Sequence, residues 1–359
     1  MKYDVGIVIG RFQPLHKGHE TIVKKALEVA NNVVIVFGGY EGNILRNPFS
    51  YKHRDKMLRS ILTKEERDRT ISFVADDYLY DDDMWKQNLE ATITRITNNC
   101  LLNKTDIKFC LVGHNKDSSS FYLHMFPKWK FIGVDKYCIG DCVVSSTEMR
   151  NSIFSGTSDY EKYCSAMVTE QIKTIINEPE FNRLKENWIF SEEYKNKTKD
   201  LEYPPIYTTV DNLVIISNKV LFVKRKSKNG EDSLALPGGF LDHNELLIDG
   251  AIRELKEETS IPYDSKYLKN KMLHNQQPLV FDYPFRSSLG RLITNVFIYE
   301  LKGDALEMIQ NGELKPADDA KDLVAISIGN LLSDYMHLHD DHYSICYNLL
   351  NKISRIRTY

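Results

Sequence analysis

Three carboxylates crowd into the stretch 239–261, GFLDHNELLIDGAIRELKEETSI. From Asp249 onward, Ala251, Ile252 and Leu255 recur at helical spacing and form one apolar face. Glu254, Glu257 and Glu258, at i, i+3 and i+4, share another. Carboxylates held this close repel one another unless a cation neutralises them. A hard divalent ion, Mg²⁺ or Mn²⁺, takes oxygen ligands and completes its shell with phosphate oxygens. The pattern therefore predicts metal-assisted chemistry on a phosphate substrate. Gly238 and Gly239, after Pro237, permit the turn that leads through Glu245 into the helix. A solvated acidic face, the plain alternative, does not account for the Gly, Glu and Arg at their spacings.

A second group lies at the other end. The β-branched run 5–9 is broken by Gly10, and Arg11, Phe12 and then His16-Lys17-Gly18-His19 follow before a helical pattern through Ala30. A strand, a turn and a helix in that order set backbone N–H groups and a positive helix end beside two imidazoles, a place for polyphosphate. Gly18 would let the backbone come close to a ligand. About 130 residues further on, VSSTEMR at 144–150 repeats the theme. Ser146 or Thr147 can cap a helix there, and Arg150 supplies a charged fork.

The elements that must position these groups can be read from the pattern. Runs 33–37, 70–74 and 107–112 predict buried strands, and 50–62 and 83–99 predict helices. Such alternation implies a parallel sheet with helices on both faces and a ligand crevice at the strand C-terminal ends. His16, His19 and Arg150 converge there. Polar, Lys/Glu-rich residues 158–199 add helix, and Tyr203-Pro204-Pro205 marks a boundary. Beyond it, 208–216 and 219–226 predict a hairpin around Ser217-Asn218, 234–237 enters the acidic segment, and 323–328 is a last strand. The expected organisation is a first domain over 1–170, a helical extension and linker over 171–203, and a second domain over 204–359.

These segments carry family resemblances. G-x5-E-x7-R-E-L-x-E-E-x-S-I resembles the box of Nudix hydrolases, which cleave nucleoside diphosphates linked to another group. The resemblance implies that Glu254, Glu257 and Glu258 hold metal, that Glu254 and Glu258 are catalytic, and that Arg253 orients them. Ser260 departs, standing where the family has Gly. GRFQPLHKGH and the 144–150 segment are similar to the two phosphate motifs of the HxGH nucleotidyltransferases, with a Rossmann-like doubly wound sheet. Arg46-Asn47-Pro48-Phe49 narrows this to archaeal-type nicotinamide-mononucleotide adenylyltransferases. That implies catalytic His16, His19, Arg46 and Arg150, and ATP or mononucleotide contacts at Gly10, Arg11, Phe12, Gly18, Asn47, Gly113, Ser146 and Thr147. Residues 112–117 resemble the loop that meets the adenine nucleotide. Trp85 sits where a tryptophan near the nicotinamide is expected; a core aromatic is the equal alternative.

Pro278 and the segments 279–286 and 290–294 resemble the Nudix subfamily that handles ADP-ribose, with Gly239, Arg286 and Arg291 as its binding residues. Exposed strand-end arginines are the rival reading of the last two. Glu313, Asp318 and Asp319 are candidates for a loop carboxylate. Asp81, Asp82 and Asp83 read as a loop and helix N-cap, and His337, His339 and His342 as a helix with partly exposed imidazoles. Both halves together resemble bifunctional adenylyltransferase/Nudix hydrolases, with an α/β/α Nudix fold second. The resemblance implies NAD and pyrophosphate made from ATP and nicotinamide mononucleotide, and ADP-ribose split to AMP and ribose 5-phosphate, with Mg²⁺ (or Mn²⁺) in both domains.

The bulk numbers exclude other classes. A net charge of −3 over 359 residues gives no drive toward nucleic acid. Six cysteines without a CxxC read as free thiols of a reducing cytoplasm. No run is long and apolar enough for a membrane, and the first apolar run is too short for a signal peptide, so a cytoplasmic protein is expected, compatible with a homo-oligomer. Two rival functions stay open. Ser260 admits a Nudix domain that senses ADP-ribose without cutting it, and the first domain could use another acceptor.

Overall fold

Valine- and isoleucine-rich runs become the inner strands of two separate sheets. In the computed structural model the described residues are all but 1, 40–43, 101–105, 115–124, 140–141, 227–232, 334–335, 337 and 358–359. The chain divides into two compact units, Met1–Ile189 and Phe190–Tyr359.

The first unit runs β1 (Tyr3–Gly10), α1 (Lys17–Val29), β2 (Ala30–Phe37), α2 (Tyr51–Ser60), α3 (Lys64–Asp68), β3 (Thr70–Val74), α4 (Asp82–Cys100), β4 (Phe109–Gly113) and β5 (Lys130–Gly133). A two-residue hairpin, β6 (Cys138–Ile139) and β7 (Cys142–Val143), then precedes α5 (Ser146–Ser155), α6 (Ala166–Ile175) and α7 (Pro179–Asn196). The five-stranded sheet is parallel with order β3-β2-β1-β4-β5. Its order reverses between β1 and β4, which is where a doubly wound sheet opens its crevice. Val5, Ile7, Val34 and Val36 face one apolar cluster, while Val8, Val33, Ile35 and Phe37 face the other. Both faces are therefore covered, as a parallel sheet requires. The division between units falls inside α7, ahead of the boundary that the prolines at 204 and 205 suggest.

The second unit runs β8 (Ile206–Ile216), β9 (Lys219–Arg225), β10 (Leu234–Ala235), β11 (Gly238–Phe240), α8 (Leu247–Thr259), α9 (Ser265–Lys271), β12 (Leu279–Phe281), β13 (Arg291–Leu301), α10 (Ala305–Gln310), β14 (Ala320–Ser327), α11 (Ile328–Ser333) and α12 (His342–Arg357). Its seven-stranded mixed sheet has order β10-β9-β8-β13-β12, with β11 on β8 and β14 on β9. The expected hairpin forms, pairing Ile215 with Val220 and Ile216 with Lys219 across Ser217-Asn218. Its first strand also pairs along its whole length, in parallel, with β13. That pairing is non-local and left no mark in the pattern. Helix α8 buries Ala251, Ile252 and Leu255 against Val210 and Val214, which turns its carboxylates the other way. No described helix is long and apolar enough to cross a membrane.

Two candidate active sites

At the end of β1 the chain turns through Phe12, whose φ is 53°, and enters α1 at His16. His16 is the N-cap, and its Nδ1 accepts the His19 backbone N–H at 3.4 Å. The two imidazoles stack at 3.8 Å, and Phe12 stacks on His19 at 4.4 Å. A Cβ on Gly18 would stand 3.1 Å from the His16 ring. That close contact with the His16 ring is one reason for glycine at this position.

Three arginines gather around this turn. Arg150 donates to the Gln13 carbonyl at 2.9 Å and to Thr147 Oγ1 at 3.1 Å. Burial, followed by the nearby Arg11 and Arg46, lowers its guanidinium to about 10. Like charges crowded this way weaken each other's protonation and invite a polyanion. Arg11 also buries Nη1 without a hydrogen-bond partner. The expectation that Ser146 or Thr147 caps α5 is corrected: Ser145 is the N-cap, without a side-chain cap bond, and Thr147 is exposed and takes the Arg150 donor instead.

The remaining predicted residues lie around the same strand ends. Gly10 closes β1 and Gly113 closes β4. Buried Asn47 packs against Gly39 at the end of β2 and leaves its Oδ1 without a partner. Trp85 stands apart in the first turn of α4, half-buried, 5.8 Å from the Phe126 ring, with Leu89 and Ile93 in the same cluster. Asp81 accepts the Met84 N–H at 2.9 Å, the cap reading of that aspartate run. Residues 115–117 of the predicted nucleotide loop lie outside the described residues. Two buried side chains were missed. Gln13 exchanges two 2.8 Å bonds with the Phe49 backbone, and Arg54 donates to the carbonyls of Arg11, Gly38 and Gly39 at 2.8–3.1 Å. An arginine on the helix face shared with Met57 and Leu58 was the available signal.

In the second unit one guanidinium organises the acidic helix. Arg253 donates to both oxygens of Glu245 at 2.6 and 3.0 Å, and to Glu254 and Glu257 at 2.9 Å each. Glu258 is buried and accepts the Gly238 N–H at 2.9 Å. Burial above all pushes its carboxyl up to about 8, with Asp319 adding to the rise, and burial also raises Glu254. A Cβ on Gly239 would lie 2.6 Å from Glu254 Oε1, so a side chain there would have to displace the Glu254 carboxylate. Among the described residues no three His, Cys, Asp or Glu side chains already form a metal cage. The donor set nonetheless fits a hard divalent ion: three carboxylates share one helix face, two of them pushed toward protonation by burial, a burden that a bound cation would relieve.

Ser260 keeps the geometry its family residue would have. It ends α8 with φ 49° and ψ 31°, and its N–H bonds the Lys256 carbonyl at 2.9 Å. The three loop carboxylates separate. Asp319 bears on Glu258, whereas Glu313 accepts from Asn311 at 2.7 Å and Asp318 turns at φ 51°. Arg225, unforeseen, stands 3.8 Å from Asp319 and also bears on Glu258.

Two predicted ligands are placed differently. Arg286 is buried, bonds Asp341 at 2.9 and 3.1 Å, and lies 3.9 Å from Asp211. It is not an exposed strand-end arginine. Arg291, half-buried, pairs with Asp282 through its backbone oxygen and, at 3.6 Å, its carboxylate. The histidine reading is corrected as well, since His342 is buried rather than partly exposed; His337 lies outside the described residues.

A profile of cytidylyltransferase-like proteins matches residues 7–151, and the NUDIX domain profile matches 206–326. With the two sheets, these make the chain a nucleotidyltransferase-fold unit followed by a Nudix-fold unit. The first is 32% identical over 157 residues to a nicotinamide/nicotinic acid mononucleotide adenylyltransferase of Acinetobacter baylyi, covering 43% of this chain and 78% of the relative. The second is 32% identical over 150 residues to an ADP-ribose pyrophosphatase of Methanocaldococcus jannaschii, covering 40% and 79%. A bifunctional NMN adenylyltransferase/ADP ribose pyrophosphatase of Francisella tularensis superposes with a TM-score of 0.83 at 31% identity, over 98% of this chain and 99% of that one. The same protein has been crystallised with AMP and a manganese ion. The chain belongs to this family of bifunctional NMN adenylyltransferase/ADP-ribose pyrophosphatases.

Proposed function

We infer that the first unit transfers AMP from ATP to nicotinamide mononucleotide, giving NAD and pyrophosphate, and that the second hydrolyses ADP-ribose to AMP and ribose 5-phosphate. The likeness to the Francisella tularensis enzyme over 98% of the chain carries this reading, because it spans both sites at once.

In the transferase a phosphate oxygen of the mononucleotide attacks the ATP α-phosphorus in line. The α-phosphorus–oxygen bond breaks, and pyrophosphate leaves. His16, His19 and the α1 N-terminus lie against the phosphates, and Arg11, Arg46 and Arg150 neutralise the charge that grows on the oxygens. No covalent intermediate is needed, so positioning and electrostatics supply the rate. Gly10, Phe12, Gly18, Asn47, Gly113, Ser146 and Thr147 shape the nucleotide crevice, and Trp85 offers its exposed part to the nicotinamide. A divalent ion on the ATP phosphates would share the charge that the arginines offset.

In the hydrolase Glu254, Glu257 and Glu258 would hold Mg²⁺ or Mn²⁺. The ion, when bound, acidifies water and offsets diphosphate charge. Arg253 keeps Glu254 and Glu257 in place, the Gly238 N–H does so for Glu258, and Gly239 admits the substrate beside Glu254. Asp319, facing Glu258, accepts the proton of the attacking water as a phosphorus–oxygen bond of the diphosphate opens. Arg291, at the start of β13, contacts the substrate from that end of the strand. Ser260 takes the left-handed conformation at the end of α8, which supports the cutting reading over a non-cutting sensor. Product analysis tests both halves, using ATP with each mononucleotide, then ADP-ribose, with and without Mg²⁺ or Mn²⁺. NAD plus pyrophosphate, and AMP plus ribose 5-phosphate, are expected; ADP-ribose bound tightly but returned intact would overturn the hydrolase.

A further inference from the structure

The C-terminal segment reaches the hydrolase site through groups that the chemistry above leaves unused. His342 opens α12, and its Nδ1 accepts the Leu236 backbone N–H at 2.9 Å. Just before it, the His339 N–H donates to the Leu234 carbonyl at 2.8 Å, and Leu338 bridges Leu234. This segment therefore satisfies the backbone of β10 and of the residue that follows it.

Beyond Leu236 the chain enters the turn that aims Glu258. The Pro237 carbonyl accepts from the Asn212 backbone at 2.8 Å and from its side chain at 3.0 Å. Proline has no N–H, so the donors at Leu236 and Gly238 are consecutive along the turn. One goes to His342 and the next to Glu258 Oε2 at 2.9 Å. The two donors flank Pro237, so the bond at Leu236 joins the Asn212 bonds in setting the backbone that presents the second.

The imidazole is itself held. Accepting at Nδ1 puts the proton of the neutral ring on Nε2, which lies 3.9 Å from Asp211 Oδ1. Asp211 accepts Thr294 Oγ1 at 2.5 Å, and Asp341, next to His342, takes the two Arg286 bonds. All of these side chains are buried. Anchoring α12 alone would need only its apolar residues, Ile345, Leu349 and Leu350, which are also buried.

We propose that His342 is a positioning residue of the hydrolase, holding the Leu236–Gly238 turn so that the Gly238 N–H sets Glu258 for divalent-cation binding. The proposal rests on the reading of Glu258 as a cation ligand. The groups that hold a metal's ligands commonly govern its affinity by about 10–100-fold.

The test uses the full chain with His342→Leu and His342→Asn, since the Asn carbonyl can accept the Leu236 N–H. Mn²⁺ binding without nucleotide is measured by calorimetric titration, with Glu258→Gln giving the background from other sites. ADP-ribose cleavage and NAD synthesis are followed alongside. The Leu variant should bind Mn²⁺ about tenfold more weakly and lose ADP-ribose kcat, the Asn variant should recover both, and NAD synthesis should not move in either. A Leu variant that only melts earlier, with Mn²⁺ affinity and kcat of the wild type, would overturn the proposal. So would a folded Asn variant as impaired as Leu. If the Leu variant does not fold, His342→Gln replaces it, its acceptor one bond further out: weakened Mn²⁺ binding supports the proposal, and wild-type binding overturns it. Wild-type protein that neither binds Mn²⁺ at Glu258 nor cleaves ADP-ribose would instead remove the hydrolase reading.

Discussion

The two units solve opposite electrostatic problems with the same device. The first crowds the cations Arg11, Arg46 and Arg150 at the ends of a parallel sheet, and the second crowds Glu254, Glu257 and Glu258 on one helix. Each cluster is strained by its own like charge and is relieved by a ligand of the other sign, a polyphosphate in one case and a divalent cation in the other. They differ in how the charges are brought together. The cations come from segments more than a hundred residues apart at the extremes, Arg11 and Arg46 from connections and Arg150 from α5, so sheet topology assembles them. The anions come from one helical turn, so local geometry does.

That contrast predicts independence, and breaking it would have the largest effect. His16→Ala should lower NAD synthesis by about 10²–10³-fold and spare ADP-ribose cleavage, while Glu258→Gln does the reverse. Steady-state rates for both reactions on each folded variant are the measurement. Loss of both activities in either variant would mean that the sites are not independent.

Within the hydrolase, the loop carboxylates sharpen the comparison. Asp319→Asn should cost ADP-ribose cleavage about 10²-fold in kcat, whereas Glu313→Gln and Asp318→Asn stay near wild type. If Glu313→Gln proved the damaging change, the facing of Asp319 and Glu258 would not be catalytic.

How far each site was legible follows from the same difference. The face shared by Glu254, Glu257 and Glu258 needs only the helical period, and the sequence alone places it. Among the strands of the first unit Thr70–Val74 is recovered to the residue, while the short β5 at Lys130–Gly133 was not foreseen. What escaped is what depends on distant partners. Arg54 and Gln13 hold loop backbones far along the chain; the face that Arg54 shares with Met57 and Leu58 signals its burial, but nothing local names the carbonyls these side chains meet. The burial of Arg286 against Asp341, 55 residues on, could not be read from the 279–286 segment whose resemblance suggested a substrate ligand. His342 was misjudged for the same reason. Ser145 rather than Ser146 caps α5, a shift of one residue within the usual uncertainty of helix ends.

The buried network also makes acid a selective stress on the second unit. His342 is held neutral, well below the usual imidazole range, by burial first and His339 second; Arg286 and Arg225 add to this, while Asp341 opposes them. Asp211 also faces the ring. An unfolded histidine titrates near 6.5, so below that pH the unfolded chain takes up a proton that the folded one refuses. The stability this group contributes is complete above pH about 6.5 and is lost as pH falls toward the folded value, at up to about 1.4 kcal/mol per pH unit. Between pH 7.5 and 5.5, thermal inactivation of ADP-ribose cleavage should steepen in the wild type and be flatter in His342→Asn. Parallel curves for the two proteins would contradict it.

The smallest expected effect has the opposite sign. Ser260 sits in the left-handed region at φ 49° and ψ 31°, where a side chain costs about 1–2 kcal/mol relative to glycine. Glycine would recover that strain but lose part of the gain to the greater freedom of its unfolded chain, about 0.4–1 kcal/mol. Ser260→Gly should therefore stabilise the second unit by about 0.5–1 kcal/mol. It should leave ADP-ribose cleavage unchanged, because the backbone at the end of α8 already has the conformation that glycine would adopt. A rise in kcat larger than twofold in this variant would mean that the serine displaces the Glu257–Glu258 end of the helix, and that the departure from the family pattern has a catalytic cost rather than only a conformational one.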